Sequence, residues 1–228
     1  MRQHGFYDRL VEQTEAARLQ FMHIPVIVHA LTEGVPRSIY LSYLEQAYHH
    51  VRHTCPLLAA ALSRCTAHDG RYRDALFEYL QEERGHEVWI LNDIEALGGD
   101  AAAVRDGEGG DAVRVMVGYG YHVVERVSPY ALLGMVHVLE GMSVALAERV
   151  ATSIRTALGE DARRGFSYLE SHGALDQEHV AFFKDLVNGI DDAEHGRAII
   201  DTARIMYRLF GDVFRDLRGP MAAARHAA

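Results

Sequence analysis

The sequence predicts an all-α fold, a bundle of seven helices joined by short links. Three observations carry this. Apolar residues recur at three- and four-residue spacing along nearly the whole chain. No segment of any length alternates apolar and polar residues as a half-buried strand would. Only five of the 228 residues are proline, and Pro25, Pro36, Pro56 and Pro129 stand where helices would begin, bend or end. With 49% hydrophobic residues the chain is long enough for a sizeable core, and residues 1–228 read as one domain.

The elements follow in order. A first helix over about residues 6–22 carries Phe6, Leu10, Ala17 and Phe21 near helical spacing. Pro36-Arg37-Ser38 opens a second, which runs through Tyr40, Leu44 and Ala47 to about Arg64 and which Pro56 should bend or break. A third spans about 70–97, with Leu76, Leu80, Val88, Leu91 and Ile94, and Gly98-Gly99 stops it. Residues 98–111 read as a glycine-rich loop. It lacks the preceding strand and the Lys-Ser/Thr of a phosphate cradle. A fourth helix covers about 111–126. Ser128-Pro129 caps and opens a fifth over about 129–158. The sixth covers about 161–188, weakened by Gly165 and Gly173, and the last about 192–216.

The net charge of −9, with no basic cluster, argues against nucleic acid or an anionic membrane as partner. Cys55 and Cys65 give no disulfide framework. The start MRQHGFYDRL has no apolar signal region, and no stretch of transmembrane length is free of charge. A cytoplasmic protein acting on a small molecule is the expectation.

Fourteen histidines are many for this length. Three motifs concentrate metal-binding chemistry. His172, Asp176 and His179 form an H-x₃-D-x₂-H pattern. At 100° per residue they fall at 0°, about 40° and about −20°, one stripe of two imidazoles and a carboxylate. Gly173 weakens the helix at its first ligand, so bound metal should help to order it. Glu83 and His86, at i and i+3, share a face of the third helix; the plain alternative is a solvated charged run. Glu140 stands in LLGMVHVLEGMSVALA with no Lys or Arg one turn away. A buried carboxylate needs a metal ion or a histidine there, unless it lies on a polar stripe with His137 and Ser143. The second helix adds Glu45, His49, His50 and His53. Neighbours in sequence are 100° apart, so His49 and His50 cannot both face one metal; His49, His50 or Glu45 is a further candidate ligand. Tyr43, Tyr48, Tyr119, Tyr121 and Met135 are candidates for a substrate pocket, with ordinary core packing as the alternative.

The block EERGHEVWILNDIEALG (82–98), the segment YLEQAYHHVRHTCP (43–56) and the H-x₃-D-x₂-H stripe resemble the haem-oxygenase-like di-metal oxidases. That group belongs to the superfamily that also holds TenA-type thiaminases and pyrroloquinoline-quinone synthase. The resemblance covers roughly residues 6–215. It implies a seven-helix haem-oxygenase-like bundle in which two iron ions activate dioxygen to oxidise an amine, amino acid or fatty acid. It implies as ligands Glu83, His86, Glu140, His172, Asp176 and His179. Glu140 would bridge, His86 and His179 would serve one iron, and Glu83, His172 and Asp176 the other. Many members carry a glutamate on the second helix, where this chain has His49 and His50. Three carboxylates against two divalent ions leave such a site near neutral, and a histidine and carboxylate set suits iron or manganese. A homodimer is the family-level expectation.

Three rival readings remain. A metal-free TenA-like hydrolase would need a nucleophilic cysteine late in the fold, and both cysteines precede residue 66. Haem binding would need an axial histidine near the N-terminus, where His23 or His29 could serve. A non-catalytic binding protein could keep the fold without the activity.

Overall fold

In the computed structural model, which describes residues 5–159 and 164–217 (the side chains of 172–178 excepted), every regular element is helical. In chain order these are α1 (Phe6–Met22), α2 (Pro25–Thr32), α3 (Arg37–Val51), α4 (Thr54–Ser63), α5 (Gly70–Glu82), α6 (His86–Ala96), α7 (Ala101–Asp106) and α8 (Asp111–Arg126). A 3-10 turn, Pro129–Ala131, then leads into α9 (Leu132–Leu158), followed by α10 (Ser167–Asn188) and α11 (Ala193–Asp216).

The all-α expectation holds, and the count of seven is corrected to eleven α-helices among the described residues. The second expected helix breaks at Arg52–His53. Pro56 therefore sits in the first turn of α4, where a missing N–H leaves no intrahelical bond unmade. The third breaks at Glu83–Gly85. Gly85 takes φ +96°, a left-handed conformation that costs little only for glycine. The loop at 98–111 contains α7, whose first turn is capped by Asp100 accepting from the Ala103 N–H at 2.9 Å. Pro25 opens α2, a helix the sequence reading left out.

The burial pattern explains why these helices stand. On α8 the buried positions Val113, Met116, Val117, Gly120, Val123 and Val124 repeat every three or four residues. On α11, Ile199, Ala203, Met206, Phe210 and Val213 do the same. Helix α9 is the central element and packs against α2, α10 and α11. By length and composition alone, Pro129–Leu158 could cross a membrane, but more than half of its most apolar stretch is buried inside the fold.

Helices α9 and α11 approach closely at Gly134. A Cβ there would strike the Ile199 carbonyl, the Ala203 amide nitrogen and the Thr202 Cβ. Gly141, two turns along the same helix, has open space around it. Gly134→Ala should therefore lower stability by about 1–3 kcal/mol, because backbone cannot yield as a flexible side chain can. Gly141→Ala should raise it by about 0.5–1 kcal/mol through helix propensity. Urea denaturation of the two variants checks the opposite signs.

Candidate metal centre

One cavity gathers most of the expected ligands. Its walls come from the end of α3 (His50), from α4 (Thr54, Leu57), from the α5–α6 junction (Tyr79, Glu83, His86), from α9 and from α10 (Tyr168, His179). Helix α9 contributes Leu132, Val136, Leu139, Glu140 and Ser143, a stripe at helical spacing. Tyr168 and His179 lie eleven residues apart on α10, about 20° apart around its axis, and so share a wall. The space measures about 800 Å³, part of it continuous with solvent.

Glu83 and His86 meet by a different route from the one expected. Glu83 closes α5 and His86 opens α6, so the turn through Gly85 brings them together. The His86 Nδ1 lies 3.0 Å from a Glu83 carboxylate oxygen, and both groups are largely enclosed. The His86 ring stacks on Trp89 at 4.3 Å. His179 Nε2 lies 3.2 Å from the Glu82 carboxylate, a partner the sequence reading missed. Tyr79 was missed as well. It is buried, and its hydroxyl has no hydrogen-bond partner among the described residues. Burial, and then the carboxylates of Glu140, Glu82 and Glu83, push that hydroxyl far up from its ordinary pKa.

A buried carboxylate outside the cavity sets the position of α10. Asp93 on α6 accepts from the Ser167 N–H at 3.0 Å, the Ser167 hydroxyl at 2.7 Å and the Tyr168 N–H at 2.8 Å. It caps α10 from another helix and meets the positive end of its dipole. The helix bearing His86 is thereby pinned to the helix bearing His179.

The remaining expectations divide. His172 and Asp176 fall on α10, whose backbone is helical there, but their side chains lie outside the described residues. Of the second-helix candidates, only His50 lines the cavity. His49 packs against Gly109 and borders a polar surface hollow with Arg52 and His53. Glu45 is half-buried elsewhere, and burial raises its carboxyl pKa. Met135 lines the cavity, and Tyr43 lines an adjoining one. Tyr48, Tyr119 and Tyr121 belong to neither wall. Tyr48 is core beneath Arg52, Tyr119 bonds to Thr202, and Tyr121 bonds to His53 Nδ1 at 3.0 Å. Among the described residues no three His, Cys, Asp or Glu side chains are yet close enough to hold an ion. The donor chemistry of the wall, carboxylates and imidazoles around an unbonded phenol, nonetheless suits a redox metal.

A family described as iron-containing redox enzyme matches residues 41–211, three quarters of the chain. The chain belongs to that family. Solved structures share its fold. A domain of unknown function with a haem-oxygenase-like fold from Shewanella denitrificans is 18% identical, with 96% of this chain and 95% of that one covered and a TM-score of 0.84. Haem oxygenase-1 from the cyanobacterium Synechocystis, in complex with haem, is 13% identical over 98% and 97%, with a TM-score of 0.77. A TenA homologue from Pseudomonas syringae is 14% identical over 92% and 93%, with a TM-score of 0.74. No curated protein matches in sequence.

A further cavity lies on the far side of Glu140. Tyr7, Thr14, Arg18, His137 and Phe183 line it together with Glu140. The His137 Nε2 is 3.3 Å from the Thr14 hydroxyl, and burial pulls its pKa down to about 4. The unfolded chain then binds the extra proton between about pH 6.5 and about pH 4, so stability is lost as the pH drops through that window. The full contribution of the neutral ring is present above about 6.5. His137→Gln should flatten the wild-type slope by up to about 3 kcal/mol across the window, measured as urea midpoints against pH. Asp93→Ala should cost about 3 kcal/mol, because three donors, the buried Tyr168 N–H among them, lose a buried charged acceptor. Asp93→Asn should cost less, and amide exchange at Ser167 and Tyr168 should rise in both.

Proposed function

We propose that the chain is a non-haem di-iron oxygenase or oxidase acting on a small molecule. The observation that carries this reading is that Glu83, His86, Glu140 and His179, drawn from four segments, line one cavity. His172 and Asp176 are the proposed completion. The helical register between Tyr168 and His179, the two described wall residues of α10, supports them. His50 is the candidate from α3, because it lines the cavity.

Bound ferrous ions, or manganese in their place, would supply the chemistry that activates dioxygen. The chain's own groups do the rest. The carboxylates of Glu83 and Glu140 offset the charge of divalent ions, and the imidazoles of His86 and His179 add neutral donors. Glu82 holds the His179 ring at its second nitrogen, the role an outer carboxylate plays for a ligand histidine. Leu132, Met135 and Leu139 keep the wall apolar, which strengthens electrostatic interactions inside. The contact of His86 with Glu83 is a pairing that a cation would replace, while that of His179 with Glu82 would remain.

Specific observations disfavour the rivals. His23 bonds through Nδ1 to the Leu19 carbonyl at 2.7 Å, and His29 sits 3.5 Å from Glu33. Neither lines the cavities described, so neither offers an axial ligand for haem. The thiols of Cys55 and Cys65 are both raised in pKa by burial, the opposite of an activated nucleophile.

Anaerobic titration with ferrous iron should saturate at about two ions per chain. Trp89, the single tryptophan, should be quenched as the first ion binds, because its ring lies on His86. His86→Ala and Glu140→Ala should each abolish or halve uptake, and admission of air should consume dioxygen only in the loaded wild type. Uptake unchanged in both variants would sink the assignment, as would loaded protein that consumes no dioxygen.

A further inference from the structure

Beside the carboxylate-lined cavity lies another with a different chemistry, about 680 Å³ when the part open to solvent is included. Its wall is built from Phe21 on α1, Ile27 and Ala30 on α2, Ala147 and Ile154 on α9 and Phe214 on α11, with similar residues between them. No Asp, Glu, Lys, Arg or His lines it among the described residues. Its hydroxyl-bearing wall residues are Tyr40, Tyr43 and Ser143. Ser143 belongs to the walls of both cavities. Tyr43, in the apolar wall, is hydrogen-bonded to Tyr168, in the wall that holds His179. The two spaces therefore adjoin across a hydroxyl partition of Ser143 and the Tyr43–Tyr168 pair.

We infer that this apolar annex takes the aliphatic tail of the substrate, a single-chain amphiphile whose polar end lies at the partition and faces Glu83, His86, Glu140 and His179. The inference deepens the oxidase reading and rests on it for the word substrate. The recognition itself rests on the annex alone. A charged or zwitterionic molecule such as a free amino acid could not place its ionised groups in the annex, because nothing there would replace their hydration. An alkyl chain loses nothing by leaving water and gains with each methylene buried. Among the described residues the Tyr40 hydroxyl of the wall already donates to the Gly165 carbonyl, which leaves the hydroxyls at the partition to bond a polar end, and this fixes the orientation. The tail points toward α2 and the C-terminal part of α11, and the end carrying the functional group is presented to the candidate metal centre.

The test uses the metal-free full-length protein and uncharged probes, the straight 1-alkanols from butanol to hexadecanol. Affinity is read by displacement of a fluorescent apolar dye and checked by calorimetry. Affinity should rise about three- to fourfold per added methylene until the annex is full and then level off or fall. Ala147→Phe fills the annex from α9, and the best chain length should shorten by several carbons while ferrous uptake stays at the wild-type ratio. Ala30→Phe fills the same space from α2 and serves should the first variant fail to fold. Affinity that does not depend on chain length, or an optimum unmoved in a folded filled variant, overturns the annex. A chain-length series as described, in a protein that binds no iron, keeps the annex and removes the oxidase reading instead.

Discussion

The site depends on one buried carboxylate that never touches it. Asp93, 3% exposed, ends three hydrogen bonds on the first turn of α10. Those donors are the unsatisfied N–H groups that every helix start presents, plus a hydroxyl. Because the acceptor sits on α6, satisfying them fixes the spacing of two helices at once. Tyr168 is the second residue of that turn, so its place in the cavity wall follows from the cap. The start of α10 is held further by Tyr40, whose hydroxyl donates to the Gly165 carbonyl at 2.9 Å, and by the ion pair of Arg155 with Glu170.

Helix α9 lines three of the cavities. Its residues Val136, Glu140 and Ser143 stand in the carboxylate-lined wall, while Ser143, Ala147 and Val150 continue into the apolar annex. His137 and Gly141 face the other way, toward Thr14 on α1, and Glu140 borders both spaces. One long apolar helix with polar residues at 137, 140 and 143 thus separates spaces of different polarity. Its close backbone contact with α11 at Gly134 anchors the end from which these positions are counted.

How much of this was legible in the sequence depended on the range of the interaction. Glu140 was readable because a single carboxylate in an apolar helix breaks a local pattern, and it does line the cavity. Glu83 and His86 were readable as a pair, although the geometry assumed for them was a continuous helix, which Gly85 interrupts. Asp93 was not readable. Within WILNDIEALG it looks like one more surface acid, and its partners lie 74 and 75 residues away. Glu82 and Tyr79 were hidden for the same reason, since their meaning comes from α9 and α10. The choice between His49 and His50 turned on the rotation of α3, which its packing against α6 and α8 decides. The extra helices escaped because short segments such as α7 carry too little period to be seen.

The interruption at Glu83–Gly85 has a consequence of its own. On an unbroken helix, residues three apart are separated by a rise of about 4.5 Å that the backbone cannot alter. Here the carboxylate belongs to one rod and the imidazole to the next, and the joint between them contains a glycine with no steric wall on its torsions. The two donors can therefore open or close like the jaws of callipers while each rod stays intact. In the proposed di-iron site such a joint would accommodate ions of different radius and changes in coordination number without unwinding either helix.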